Sequence, residues 1–132
     1  MRRIIWILLQ CTWSLPQNLV GLTLLLCHRK GEHRRFRGAL VTAWQHRGCA
    51  SMGCFIFMNA DCMDDRPLLV HEYGHTMQSA ALGWLYLPLA GLPSMLWYAL
   101  PCVRKGKGYY SFYTERWANR WGERVCGECA VR

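Results

Sequence analysis

Three residues in the stretch "LLVHEYGHT", His71, Glu72 and His75, have the types and the spacing that a hydrolytic metal site needs. On a helix, residues four apart project from one face with Cβ atoms ~5–6 Å apart, so two imidazoles can reach one ion. That suits a tetrahedral Zn²⁺, which binds imidazole nitrogen at ~2.0–2.1 Å. Glu72 lies one step round the helix, too far to be a natural third ligand. It is placed to take a proton from a water on the metal and return it to a leaving amine. HEYGH therefore marks His71 and His75 as metal ligands and Glu72 as the catalytic base and acid.

A catalytic zinc site wants a third protein ligand and one open position. Among the remaining carboxylates, Glu115 in "ERWAN" has the best surroundings. Small Ala118 allows a second helix to approach the metal helix closely. Asn119, one turn beyond Glu115, can accept the free N–H of a ligand histidine and fix its tautomer. Glu123, two turns further on, is the reserve ligand, and Tyr109, Tyr110 and Tyr113 are neighbours that could stabilise an oxyanion. Two plainer readings stand beside these: histidines hydrogen-bonded in a core, and Glu115 exposed and paired with Arg116 or Arg120.

At these residues the chain resembles the gluzincin metallopeptidases, in which HExxH supplies two histidine ligands and a downstream glutamate the third. "ERWAN" is most similar to the ExxAD version of membrane-bound gluzincins. The resemblance implies His71, His75 and Glu115 as zinc ligands, Glu72 as general base and Asn119 in the supporting place usually held by aspartate. An amide there polarises the ligand histidine less. The motif likeness covers about residues 65–123. Over most of its length the chain looks like small bacterial membrane proteins that share HEYGHT and FYTExWAN. In gluzincins an edge strand before the metal helix pairs with substrate, which makes "FIFMN" a candidate for that strand.

The elements that must position these residues follow from local chemistry. Asp64 and Asp65 offer N-cap oxygens, Pro67 suits a first turn and Gly83 ends the helix, which sets a metal helix over 65–83. "ALVTAWQ" and "ASMGCFIFM" predict two antiparallel strands, Ala39–Gln45 and Ala50–Met58, in a hairpin spanning 36–60. Ser111 can cap a last helix over 111–125, with Glu115, Ala118 and Asn119 on one face.

Ile4 to Cys27 carries no charge over 24 positions, long enough for a membrane segment. "SLPQN" interrupts it, marking either a kink in a spanning helix or the tip of a helical hairpin that dips into one leaflet. No small-residue cleavage site follows, so the segment is expected to be retained. A second uncharged run continues past the metal helix to Val103. As one straight helix, Ala80 to Val103 would be about 36 Å long and would separate His75 from Glu115 by a membrane. Zinc bonds of ~2 Å do not allow that. Gly83, Pro88, Gly91, Pro93 and Pro101 break the run, so an apolar re-entrant or helical hairpin over 84–103 is expected to return the chain to its starting side.

Sixteen Lys and Arg against eight Asp and Glu give a net charge of +8, in a chain that is 52% hydrophobic. The basic residues flank the apolar runs, at Arg2 and Arg3, at Arg29 to Arg37 and at Arg104 to Lys107, the pattern anionic headgroups favour. Nothing near "HRKGEHRRFR" resembles a nucleic-acid motif, so no nucleic-acid partner is expected. Of eight cysteines, only Cys126 and Cys129 have metal or redox spacing, and as one isolated CxxC they read as free thiols in a tail.

The expectation is one domain over 1–132, α+β but mainly helical: a membrane segment at 4–27, the β-hairpin, the metal helix, the apolar hairpin and the third-ligand helix. Its function reads as a membrane-associated zinc metallopeptidase acting on peptide or protein substrate and contacting membrane lipid. The basic flanks place it in the bacterial inner membrane with its site facing the cytoplasm. The alternatives are a non-catalytic metal-binding membrane protein and a small membrane adaptor.

Overall fold

A computed structural model describes residues 2–101 and 108–131; the basic loop residues Arg104, Lys105 and Lys107 lie outside them. The described chain is mixed α and β, mainly helical, with five α-helices and one four-stranded sheet.

The first apolar run forms two helices, α1 (Arg2–Cys11) and α2 (Leu15–Cys27). Thr12 Oγ1 donates to Leu8 O at 2.7 Å as α1 ends, and Pro16 sits in the first turn of α2, where a missing amide proton costs nothing. Among the described residues no helix is long and apolar enough to cross a membrane.

Four strands follow: β1 (His33–Phe36), β2 (Ala39–Trp44), β3 (Ala50–Met52) and β4 (Phe55–Asn59). Their order is β1-β2-β4-β3, which differs from the expected hairpin of Ala39–Gln45 with Ala50–Met58. Gly53, at φ 64, turns the second stretch back on itself, so β3 pairs antiparallel with β4 while β2 and β4 run parallel. The reason is burial: Ile56, Phe57 and Met58 are all fully enclosed, and a run apolar on both faces belongs inside a sheet. "FIFMN" is therefore an interior strand, and the edge nearest the metal helix is β3.

Helix α3 (Arg66–Leu82) begins where Asp65 accepts from Leu68 N at 3.1 Å, and it stops at Gly83, whose φ of 58 suits a residue without a Cβ. The second apolar run then bends through a 3₁₀ turn (Gly83–Leu85), a π-helical turn (Leu87–Gly91) and α4 (Leu92–Ala99). Helix α5 (Tyr113–Cys126) starts from Phe112 without a side-chain cap; Ser111 instead donates to Gly108 O within the preceding 3₁₀ turn.

Helices α3 and α5 touch backbone to backbone. A Cβ at Gly74 would lie 1.9 Å from Ala118 O, and one at Gly122 would lie 2.2 Å from Val70 O. These two notches make α5 antiparallel to α3 and bring the face carrying Glu115 onto the face carrying His71 and His75.

Candidate metal centre

One turn of α3 carries His71 and His75, and the first turn of α5 carries Glu115; all three are buried. Glu115 Oε2 lies 3.0 Å from His71 Nε2 and 3.3 Å from His75 Nε2. The ligand atoms of the three residues fall within 4.8 Å of one another, and among the described residues this is the group that could hold a metal ion. A tetrahedral ion with bonds of ~2.0 Å needs ligand atoms ~3.3 Å apart. The two carboxylate–imidazole spacings, 3.0 and 3.3 Å, match that requirement.

The outer nitrogen of each imidazole is tied down. Asn119 donates through Nδ2 to Val131 O at 2.8 Å, which turns its Oδ1 toward His71 Nδ1, 2.6 Å away. Gln78 donates through Nε2 to Thr114 O at 2.7 Å, and its Oε1 meets His75 Nδ1 at 2.8 Å. Because each amide oxygen can only accept, both histidines carry their proton on Nδ1 and aim Nε2 at the common point. The sequence suggested Asn119 for this role but not Gln78, although Gln78 stands three residues after His75 on the same helix face.

The buried imidazole and carboxylate stabilise each other's charge. Burial alone would lower His75 and raise Glu115. The charge and hydrogen bond of Glu115, with help from Glu72 and Gln78, instead raise His75 to about 9. In return, His75 and His71 hold Glu115 well below the usual carboxylate range. Without metal, a proton on His75 balances Glu115.

Glu72 is also buried and lines a small cavity of about 90 Å³ with His75, Ser51, Cys49, Tyr86 and Tyr109. Ser51 Oγ lies 2.8 Å from Glu72 Oε2 and 2.9 Å from Glu72 O, so the edge strand β3 holds the carboxylate in place. Tyr86 in turn donates to Ser51 O at 3.1 Å. Ser51 and Tyr86 had no signal in the sequence, since each depends on contacts set by the sheet.

Of the three tyrosines, Tyr109 faces the cavity; burial, followed by the charges of Glu115 and Glu72, raises its phenol so that it stays an O–H donor. Tyr110 sets its ring edge-on to His71 at 5.1 Å. Tyr113 is exposed and donates to Leu89 O, away from the centre. Glu123 accepts from Ala130 N at 3.1 Å and is not brought to the cluster. Cys126, buried, and Cys129, exposed, are free thiols.

Comparison of the chain with protein-family models, with curated proteins and with solved structures finds no match.

Proposed function

We propose that this chain is a membrane-associated zinc metallopeptidase of gluzincin type. The observation that carries the reading is the convergence of His71 Nε2, His75 Nε2 and Glu115 Oε2 on one point beside the cavity that holds Glu72. Two imidazoles and a carboxylate suit zinc, and three ligands with an adjoining cavity are the open arrangement of a catalytic site.

Bound there, zinc would act as a Lewis acid toward a water and a peptide carbonyl. Glu72, held by Ser51, is the carboxylate that would accept a proton from an attacking water and return it to the leaving amine. Tyr109, kept protonated, is a donor in the cavity for the developing oxyanion. Asn119 and Gln78 keep both imidazoles in the metal-binding tautomer.

Zinc content and peptide hydrolysis measured on the same preparations test this. Wild type should hold one zinc per chain and cleave peptide, His71→Ala and Glu115→Gln should lose metal, and Glu72→Gln should keep metal while losing turnover by roughly 10²–10⁴-fold. Stoichiometric zinc with no hydrolysis by wild type would leave a metal-holding protein in which the ion ties α3 to α5. Absence of zinc would leave a membrane adaptor with structural histidines.

A further inference from the structure

The first apolar segment is built inside out, and the second shares its exposed apolar face. Gln10, Ser14 and Gln17 are completely buried and Asn18 nearly so, while Leu8, Leu19, Leu26, Trp84, Met95 and Leu96 each expose more than half of their surface. A helix on the surface of a water-soluble domain does the reverse. The buried polar groups form a seam against α3: Gln10 donates to Thr76 O at 2.9 Å, Ser14 to Ser79 O at 2.7 Å, and Gln17 to Ser79 Oγ at 2.9 Å and Gly83 O at 2.7 Å. Asn18 closes the seam onto Gln10 O at 2.6 Å and receives Cys54 N at 2.8 Å. Polar contacts between helices with apolar side chains outside are the packing of helices in lipid.

The dimensions select one leaflet. Helix α1 has ten residues and α2 thirteen, so each leads ~15–20 Å away from the turn at Thr12–Ser14. A bilayer's hydrocarbon is ~30 Å thick, and half of it is ~15 Å. The ends away from this turn carry exposed Arg3, Arg29 and Lys30, whereas Trp13 and Trp84 are exposed at the turn itself. The second apolar segment starts at the same level, because Trp13 Nε1 donates to Ala81 O and Gln17 to Gly83 O.

We infer that the outer faces of α1 and α2 and of the Gly83–Leu100 segment form one lipid-facing surface that enters a single leaflet without crossing it. Cationic residues at the rim match anionic headgroups. Helix α3 runs beside α1, with Trp6 stacked on Tyr73 and Gln10 bonded at Thr76. His75 and His71 therefore stand ~12 Å and ~18 Å above the level of Gly83, at the boundary between hydrocarbon and headgroups. Substrate at that depth is a peptide segment lying at the membrane surface. The inference rests on the membrane association proposed above and is independent of zinc.

Native cysteines report the geometry. Cys11 is exposed at the turn, Cys27 at the far end of α2, and Cys129 in the tail. Full-length protein is floated with phosphatidylcholine–phosphatidylglycerol vesicles, treated with an impermeant maleimide and mapped by mass spectrometry, with urea-denatured protein as reference. The protein should float. Cys27 and Cys129 should react from outside, with Cys11 protected at least tenfold relative to Cys27. Leu8→Asp with Leu19→Asp should reduce vesicle partitioning at least tenfold while the far-ultraviolet circular dichroism stays unchanged. Failure to float, with a stable dimer protecting Cys11, would assign the apolar face to a second copy and sink membrane association itself. Flotation with Cys11 reacting as fast as Cys27, or reacting with maleimide sealed inside the vesicles, would overturn the one-leaflet insertion alone.

Discussion

One carboxylate oxygen of Glu115, Oε2, sits between His71 Nε2 at 3.0 Å and His75 Nε2 at 3.3 Å, where a proton and a metal ion compete for the same space. His75 is raised to about 9 and Glu115 is lowered, so the metal-free pair is an ion pair at neutral pH. A raised histidine contributes stability that is complete below its unfolded value of 6.5 and is lost as pH rises through about 9. A lowered carboxylate contributes stability that is complete above its unfolded value of 4.5 and is lost only as pH falls through its lower folded value. Metal-free protein should therefore melt highest between these two unfolded values and progressively lower toward pH 9. Zinc binding must expel the imidazole proton, so its affinity should rise over the same alkaline range. Melting curves with and without zinc, and titrations in buffers of different ionisation enthalpy, check both signs.

The second prediction concerns the amides behind the imidazoles. Asn119→Ala and Gln78→Ala each remove the acceptor that fixes Nδ1–H, at 2.6 Å and 2.8 Å respectively. Each should weaken zinc binding by roughly 10–100-fold without removing a ligand. Gln78→Ala should also lower stability by about 1 kcal/mol or more, because Thr114 O loses its donor in a buried place. Competition against a calibrated chelator measures the first effect, and denaturant unfolding of the metal-free protein measures the second.

The parts of this arrangement that obey helix periodicity were legible in the sequence. His71 and His75 four apart, and Glu115, Ala118 and Asn119 on one stripe, follow from 3.6 residues per turn. The contact between the two stripes was inferred from the ion they would share. Gln78 obeys the same periodicity, but no motif spacing marks it. Ser51 was not legible, because its reach to Glu72 depends on β3 being an edge strand, and a turn at Gly53 inside an apolar run hides that edge. The inverted polarity of α1 and α2 was hidden for another reason: along a linear run, Gln10, Ser14 and Gln17 read as interruptions. Only packing against α3 shows that they face inward.

Ser51 gives the third prediction. Its hydroxyl lies 2.8 Å from the Glu72 carboxylate and touches no candidate ligand. Ser51→Ala should leave zinc content at one per chain and lower kcat by about tenfold, less than the roughly 10²–10⁴-fold expected on losing the base itself. In the double variant Ser51→Ala, Glu72→Gln the serine effect should vanish, since it acts through the carboxylate. A serine effect that persists when Glu72 is gone would assign Ser51 a direct contact with substrate.

The glycine inside HEYGH gives the last prediction. Alanine is normally favoured over glycine in a helix by ~1 kcal/mol, so Gly74→Ala should stabilise α3 taken alone. In the folded protein its Cβ would meet Ala118 O at 1.9 Å, and a backbone oxygen cannot rotate away. Helices α3 and α5 must part, and parting them moves Glu115 off the two imidazoles. The expected result is a net loss of ~1–3 kcal/mol together with at least a tenfold loss of zinc affinity. Gly108→Ala, whose new Cβ has no neighbour closer than 3.8 Å, serves as the control and should change neither. Unfolding curves and zinc titrations on the two variants decide it: unchanged affinity in Gly74→Ala would mean that the close approach of the helices is not what assembles the site.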